Sequence, residues 1–131
     1  MNKSQEIALI DFYIESSEKA LQSAKSLYDL FDNNAAMNRL YYSCYYVVFA
    51  LLLVKHKIRT KTHSGLLNMF SLHFVKTNIL DKRYADLFVT LMQRRSEADY
   101  GDFVIITNDE LEDLIPLTEQ FIQEIKRLIN E

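Results

Sequence analysis

Apolar residues return at three- and four-residue steps along nearly the whole chain. That spacing lines one face of an α-helix and differs from the strict alternation of a half-buried strand. The first helical stretch runs from about Ser4 to Phe31, with Ile10, Ile14, Leu21, Ala24, Tyr28 and Phe31 on one inward face. DNN at 32–34 supplies a turn and the next N-cap. The second stretch, about 35–55, is apolar nearly all round and belongs at the centre of the molecule. A basic connector, KHKIRTK at 55–61, ends it, and Thr62 is suited to cap a third helix over 63–76 with Leu66, Leu67, Phe70 and Phe74 inward. TNILD at 77–81 leads into a fourth helix from about Lys82 to Asp99, with Leu87, Leu91 and Ala98 on one stripe. Gly101 breaks that helix, and DFVIIT at 102–107 is a short apolar link able to run extended. Thr107 caps the fifth helix, with Glu110 placed to complete a capping box. Its buried face is Leu111, Leu114, Ile115, Thr118, Phe121, Ile122, Ile125 and Ile129, and Pro116 is placed to kink it. Short joins between long helices predict an all-α, five-helix, mostly antiparallel up-and-down bundle.

Composition sharpens this picture. The chain has 131 residues, enough for one domain over 1–131 with a single core, and only two glycines and one proline, too few for the turns of an all-β fold. A net charge of −3 carries no global basic excess, so any contact with nucleic acid has to come from a local patch. Cys44 is the single cysteine; it has no internal disulfide partner and reads as a buried filler in a reducing compartment. The start, MNKSQEIALIDF, soon meets acids and does not read as a secretion signal. The apolar run at 40–54 is shorter than the ~20 residues of a bilayer span. The expectation is a cytoplasmic protein with no membrane association.

Three places carry candidate chemistry. On a helix, Arg39, Tyr42 and Tyr46 fall close together, with Tyr41 and Tyr45 on a second stripe roughly opposite. A guanidinium flanked by phenols holds a phosphate or stacks on a base; tyrosines also fill bundle cores, whereas Arg39 on a largely apolar helix needs a partner. The connector gathers Lys55, Lys57, Arg59 and Lys61 just before a helix N-terminus, where free amides favour anions. His63 lies in the first turn there, where the dipole disfavours its charged form; a solvated surface run is the plainer alternative. Metal ligation is not expected: His56, His63 and His73 lack metal-binding spacing and there is no cysteine pair. No glycine-rich phosphate loop or nucleophile elbow occurs, and no cofactor is implied. Finally, RRSEADYGDF at 94–103 crowds charge around a helix end. Arg95 and Asp99 are four apart, but arginine before aspartate is the weaker order and an acid at a helix C-terminus opposes the dipole. Tertiary partners explain that stretch better, and Arg39 or the connector are the natural ones. Asp99 and Asp102 either serve a site or tie down the segment after Gly101.

Three segments then stand out as a set: NRLYYSCYY, KTHSGLLNMFSLHFVKT and RSEADYGDF. In this order and spacing they resemble the HEPN domain family of small prokaryotic all-α proteins. The likeness is strongest to a short branch with Asn-Arg-x-Tyr-Tyr, Lys-Thr-His-Ser-Gly and Arg-x-x-Ala-Asp-Tyr-Gly-Asp signatures, and it covers about Glu18 to Lys126. The resemblance implies a helical bundle that forms a homodimer, with residues 99–103 at or near the contact. It also implies a neighbouring minimal nucleotidyltransferase in a toxin–antitoxin pair. Active members are metal-independent ribonucleases that use Arg-x(4–6)-His near the end of a late helix, with the RNA 2′-OH as nucleophile. Arg95 matches the motif arginine, but Tyr100 stands where the histidine belongs and no histidine follows. Arg59 and His63 come close in spacing, one residue too near, in a different element. A phenol with an ordinary pKa of about 10 is a poor base near neutrality.

Two functional readings follow. The first is a binding module for a nucleotide, RNA phosphate or nucleotidyltransferase partner, with Arg39, Tyr42, Tyr46, Lys61, His63 and Asp99 as binding residues and Arg95 and Tyr100 at the degenerate catalytic position. The second is a metal-independent ribonuclease toxin using Arg95 with a non-standard acid–base partner such as His63. A purely structural interaction domain is the remaining alternative.

Overall fold

The computed structural model describes residues 1–101 and 103–131. Asp102, with its reading as a site acid or loop tie, lies outside the described residues. The chain forms five α-helices: α1 (Lys3–Asp29), α2 (Asn33–His56), α3 (His63–Phe70), α4 (Lys82–Tyr100) and α5 (Asn108–Ile129). A π-helical turn, Ser71–Val75, continues α3. No strand occurs among the described residues, and the architecture is the all-α bundle the periodicity predicts.

Each helix starts on a side chain that takes up one of the otherwise unpaired first-turn amides. Asn2 and Gln5 form a reciprocal capping box on α1. Asp32, Thr62, Asp81 and Thr107 accept from the amides of Ala35, Gly65, Arg83 and Glu110. The expected box at Thr107 is only half made, because the Glu110 carboxylate turns away to meet Arg94 at 2.8 Å. The expected 63–76 helix changes character at Ser71, where the Lys76 amide reaches back five residues to the Ser71 carbonyl at 2.8 Å. Phe31, expected to face inward, is 81% exposed. α1 ends at Asp29, and Phe31 takes a positive φ of 63° in the tight turn that follows, which swings its ring outward.

α2 is the central element and packs against α1, α3, α4 and α5. Leu40, Tyr41, Cys44, Val47, Val48, Leu51 and Leu52 are all fully buried on it. It is long and apolar enough to cross a membrane, yet 67% of its most apolar window is covered by the other helices. Burial raises the Cys44 thiol pKa and leaves it an inert filler. α4 stops at Gly101. A Cβ there would lie 2.5 Å from Val104 Cγ2 and 2.7 Å from the Glu97 carbonyl oxygen, so the link beyond packs where a side chain would stand. Asn33 at the start of α2 pins that link by donating to the Ile106 carbonyl at 3.0 Å and to Asn108 at 2.7 Å. Asn34 donates to the Ala98 carbonyl at 3.3 Å.

Candidate functional site

The first half of α2 and the last turns of α4 bring the separated motifs together. Arg95 projects from α4 onto α2 and is largely buried, its side chain 14% exposed. Its guanidinium carbon lies 4.9 Å from the ring centroid of Tyr41 and 5.8 Å from that of Tyr42. Arg39 approaches the same Tyr42 ring, at 5.0 Å. Two cations thus share one phenol face system, a contact worth up to about 2 kcal/mol when desolvated.

A chain of polar groups ties the two arginines to each other. Arg39 donates from Nε and Nη2 to Asn38 Oδ1 at 3.0 and 2.8 Å. Asn38 Nδ2 in turn donates to Asp99 Oδ2 at 3.0 Å. Arg95 Nη1 stands 3.6 Å from that same Oδ2, a loose ion pair beyond hydrogen-bond length. Arg95 Nε is buried with no hydrogen-bond partner among the described residues. The Arg95 fork is therefore held in place by aromatic rings while its donors stay largely unfilled.

His63, at the N-terminus of α3, closes the other side. Its Nδ1 shares a short hydrogen bond with the Tyr41 hydroxyl, and its ring stacks on Tyr45 at 4.7 Å. Burial raises the Tyr41 phenol pKa, against an opposing pull from Arg95, so Tyr41 keeps its proton. Burial and then the Arg95 charge lower the His63 pKa, so the imidazole is neutral near pH 7. Tyr41 is fully buried, and donating to Nδ1 is the way its hydroxyl proton is satisfied. That fixes the His63 tautomer with the proton on Nε2. The result is a neutral imidazole donor and a cationic fork that both pack against Tyr41. Such a pair can donate hydrogen bonds to an oxyanion.

The structure brings together Arg39, Tyr42, His63, Arg95 and Asp99. Tyr46 stands one ring away, 5.8 Å from Tyr42 and 5.9 Å from Tyr13. Lys61 is exposed and borders a neighbouring cleft instead. Tyr100 is 79% exposed at the end of α4. Sequence reasoning missed Asn38 and Tyr41. Asn38 is the first residue of the NRLYYSCYY motif, but nothing in its spacing announces the link it makes between Arg39 and Asp99. Tyr41 lies on the stripe opposite Arg39; because α2 is buried on most sides, a residue on that stripe still meets α3 and α4. Arg94, next to Arg95, has a different part: it bonds Glu97 and Glu110 and ties α4 to α5. No group of three or more potential metal ligands occurs among the described residues.

The pattern of the HEPN domain family matches residues 10–128. A Thermotoga maritima relative, named as a UPF0332 protein, is 33% identical over the whole chain and 97% of its own length. Two Methanocaldococcus jannaschii relatives carry the name "Putative toxin". One is 37% identical over 88% of this chain and 78% of its own, the other 32% identical over 93% and 90%.

Proposed function

Since the chain belongs to the HEPN domain family, we propose that it is a toxin-type HEPN module that grips an RNA phosphate at the Arg95–His63–Arg39 cluster. The observation that carries this reading is the seat of Arg95: its guanidinium lies on Tyr41 and Tyr42, Arg39 approaches the same Tyr42 ring, and the loosely paired Asp99 is the carboxylate beside the two cations. A phosphate oxygen is a partner such a fork fits. The names of the M. jannaschii relatives support a place in a toxin–antitoxin pair, with a minimal nucleotidyltransferase as the companion. Homodimerisation is part of the same reading. Tyr100, Phe103 and Ile105 are exposed on and after the end of α4, as are Leu30 and Phe31 before α2. The Asn33–Ile106 bond holds these two segments at one end of the bundle, where they form an apolar face suited to a second copy.

His63 favours a second reading, a metal-independent ribonuclease. In it Arg95 steadies the charge on the phosphorane and His63, in place of Tyr100, donates from Nε2–H to a phosphoryl oxygen, while water takes the 2′-OH proton and protonates the leaving 5′-oxygen. The specific support is that His63 and Arg95 both pack against Tyr41.

One set of measurements tests both. Single-stranded RNA is titrated by fluorescence anisotropy and incubated with the protein in excess chelator. Binding by the wild type that falls at least about tenfold in Arg95→Ala, with circular dichroism unchanged, supports the module. Cleavage that survives chelator and disappears in both Arg95→Ala and His63→Gln supports the ribonuclease. Equal RNA affinity in wild type and Arg95→Ala rejects the site.

A further inference from the structure

We propose that a second cleft, between Tyr13 of α1, Tyr45 and Phe49 of α2 and the connector residues Arg59, Thr60 and Lys61, is a nucleotide subsite, taking a base on its aromatic wall and a phosphate at its basic rim. The proposal deepens the reading above and rests on it in one respect: the occupant is one nucleotide of the strand whose phosphate lies at Arg95.

The cleft has a volume of about 490 Å³, within the range of small-ligand sites. Its wall is aromatic. Tyr13 and Phe49 stack at 4.2 Å with 25° between their planes, and Tyr45 lies 6.4 Å from Phe49. Its rim is cationic and unneutralised. Lys57 pairs with Glu6, whereas Arg59 and Lys61 have no carboxylate partner among the described residues, and no acid lines the cleft. An apolar helix docked here would leave two cations unused. A simple anion would leave the aromatic wall unused. A base joined to a phosphate uses both, stacking on the open side of the wall and pairing with the rim cations.

Tyr45 makes the connection to the first site. It lines this cleft and also stacks on His63, so a single ring separates the cleft from the Arg95 cluster. A strand crossing Tyr45 would place neighbouring nucleotides in the two sites.

The test uses the full chain with three probes: a labelled single-stranded oligoribonucleotide, AMP and inorganic phosphate. The variants are Arg59→Ala with Lys61→Ala, whose side chains are exposed, and Tyr13→Leu, with circular dichroism to check the fold. Each is expected to weaken RNA binding about tenfold. The double variant is expected to lower the slope of log affinity against log salt by about 1.4. AMP binding lost with the RNA in Tyr13→Leu points to a pocket that also takes free nucleotides. RNA binding without AMP binding points to a strand subsite, and both outcomes support the proposal. Cleft variants that bind RNA and AMP like wild type overturn it, as does phosphate binding alone that Tyr13→Leu leaves unchanged. A defect in Arg95→Ala with intact cleft variants overturns the cleft only; the converse overturns the Arg95 site and leaves the cleft standing. A wild type that binds neither RNA nor AMP overturns both.

Discussion

Arg95 and Arg39 rest on the same ring, that of Tyr42, although they belong to different helices. Bringing two like charges to one phenol is unfavourable unless negative charge lies close by. The Asn38–Asp99 pair supplies one such charge, and one carboxylate for two guanidiniums leaves the cluster net positive. Removing that carboxylate should therefore loosen the cluster and strengthen its hold on anions. Asp99→Asn is expected to keep the Asn38 contact, raise affinity for single-stranded RNA a few-fold and lower the thermal midpoint slightly. Paired anisotropy and melting curves check this; an affinity loss in Asp99→Asn would contradict it.

Adjacent arginines are expected to behave differently. Arg94 joins Glu97 to Glu110 across α4 and α5 with its side chain 24% exposed. Arg94→Ala should cost about 1–2 kcal/mol of stability and leave RNA affinity near wild type. Arg95→Ala should lower RNA affinity at least about tenfold, with a stability loss no larger than the ~2 kcal/mol of its ring contacts. Urea unfolding and RNA titration of the two variants side by side read the difference.

His63 makes stability depend on pH. Its folded pKa lies below the ordinary 6.5, through burial first and then Arg95. Between 6.5 and that lower value the unfolded chain binds a proton that the folded chain refuses, so stability falls as pH drops through this window. The groups facing the imidazole are Tyr41, Tyr42 and Tyr45 of α2 and Arg95 of α4. Of these, only Arg95 is charged. Melting temperatures from pH 7.5 to 5.5 should decline in wild type and decline less in His63→Gln.

Thr118 offers a stabilising change. It is fully buried on α5, and its hydroxyl has no hydrogen-bond partner among the described residues. Thr118→Val keeps the shape and removes the unpaired group, and should add about 1 kcal/mol. Calorimetry showing a lower melting temperature would mean that the hydroxyl is satisfied after all.

The proposed self-association is checked at Phe103, which is 95% exposed. Phe103→Asp should give a monomer by light scattering at micromolar concentration while the wild type runs as a dimer. A monomeric wild type removes the dimer from the reading.

The helices were legible because periodicity is local and marks their faces, and three of the five starts are marked by the DNN turn, Thr62 and Thr107, whereas sequence reasoning missed the caps Asn2 and Asp81. The turn at Phe31 was not legible, since a backbone with positive φ leaves no trace in hydropathy. The π-helical turn was hidden for a similar reason, as Phe70 and Phe74 keep a four-residue step through it. In the candidate site, the charged residues Arg39, Arg95 and Asp99 could be picked out because charge is costly on apolar helices. Their neighbours could not be assigned by stripe. Tyr41 became the hub because α3 returns His63 to it across the connector, a long-range fact that helix angles do not contain.

The contact behind Gly101 has an evolutionary and engineering consequence. With Val104 and the Glu97 carbonyl pressed into the space of a missing methyl, position 101 accepts no alanine unless the chain leaves α4 by another route. Rerouting would drag Ile106 off its tether to Asn33 and shift the exposed rings of Tyr100 and Phe103. One hydrogen atom thus sets the alignment of an entire end of the protein. Libraries that diversify this end should hold residue 101 constant and vary its flanks.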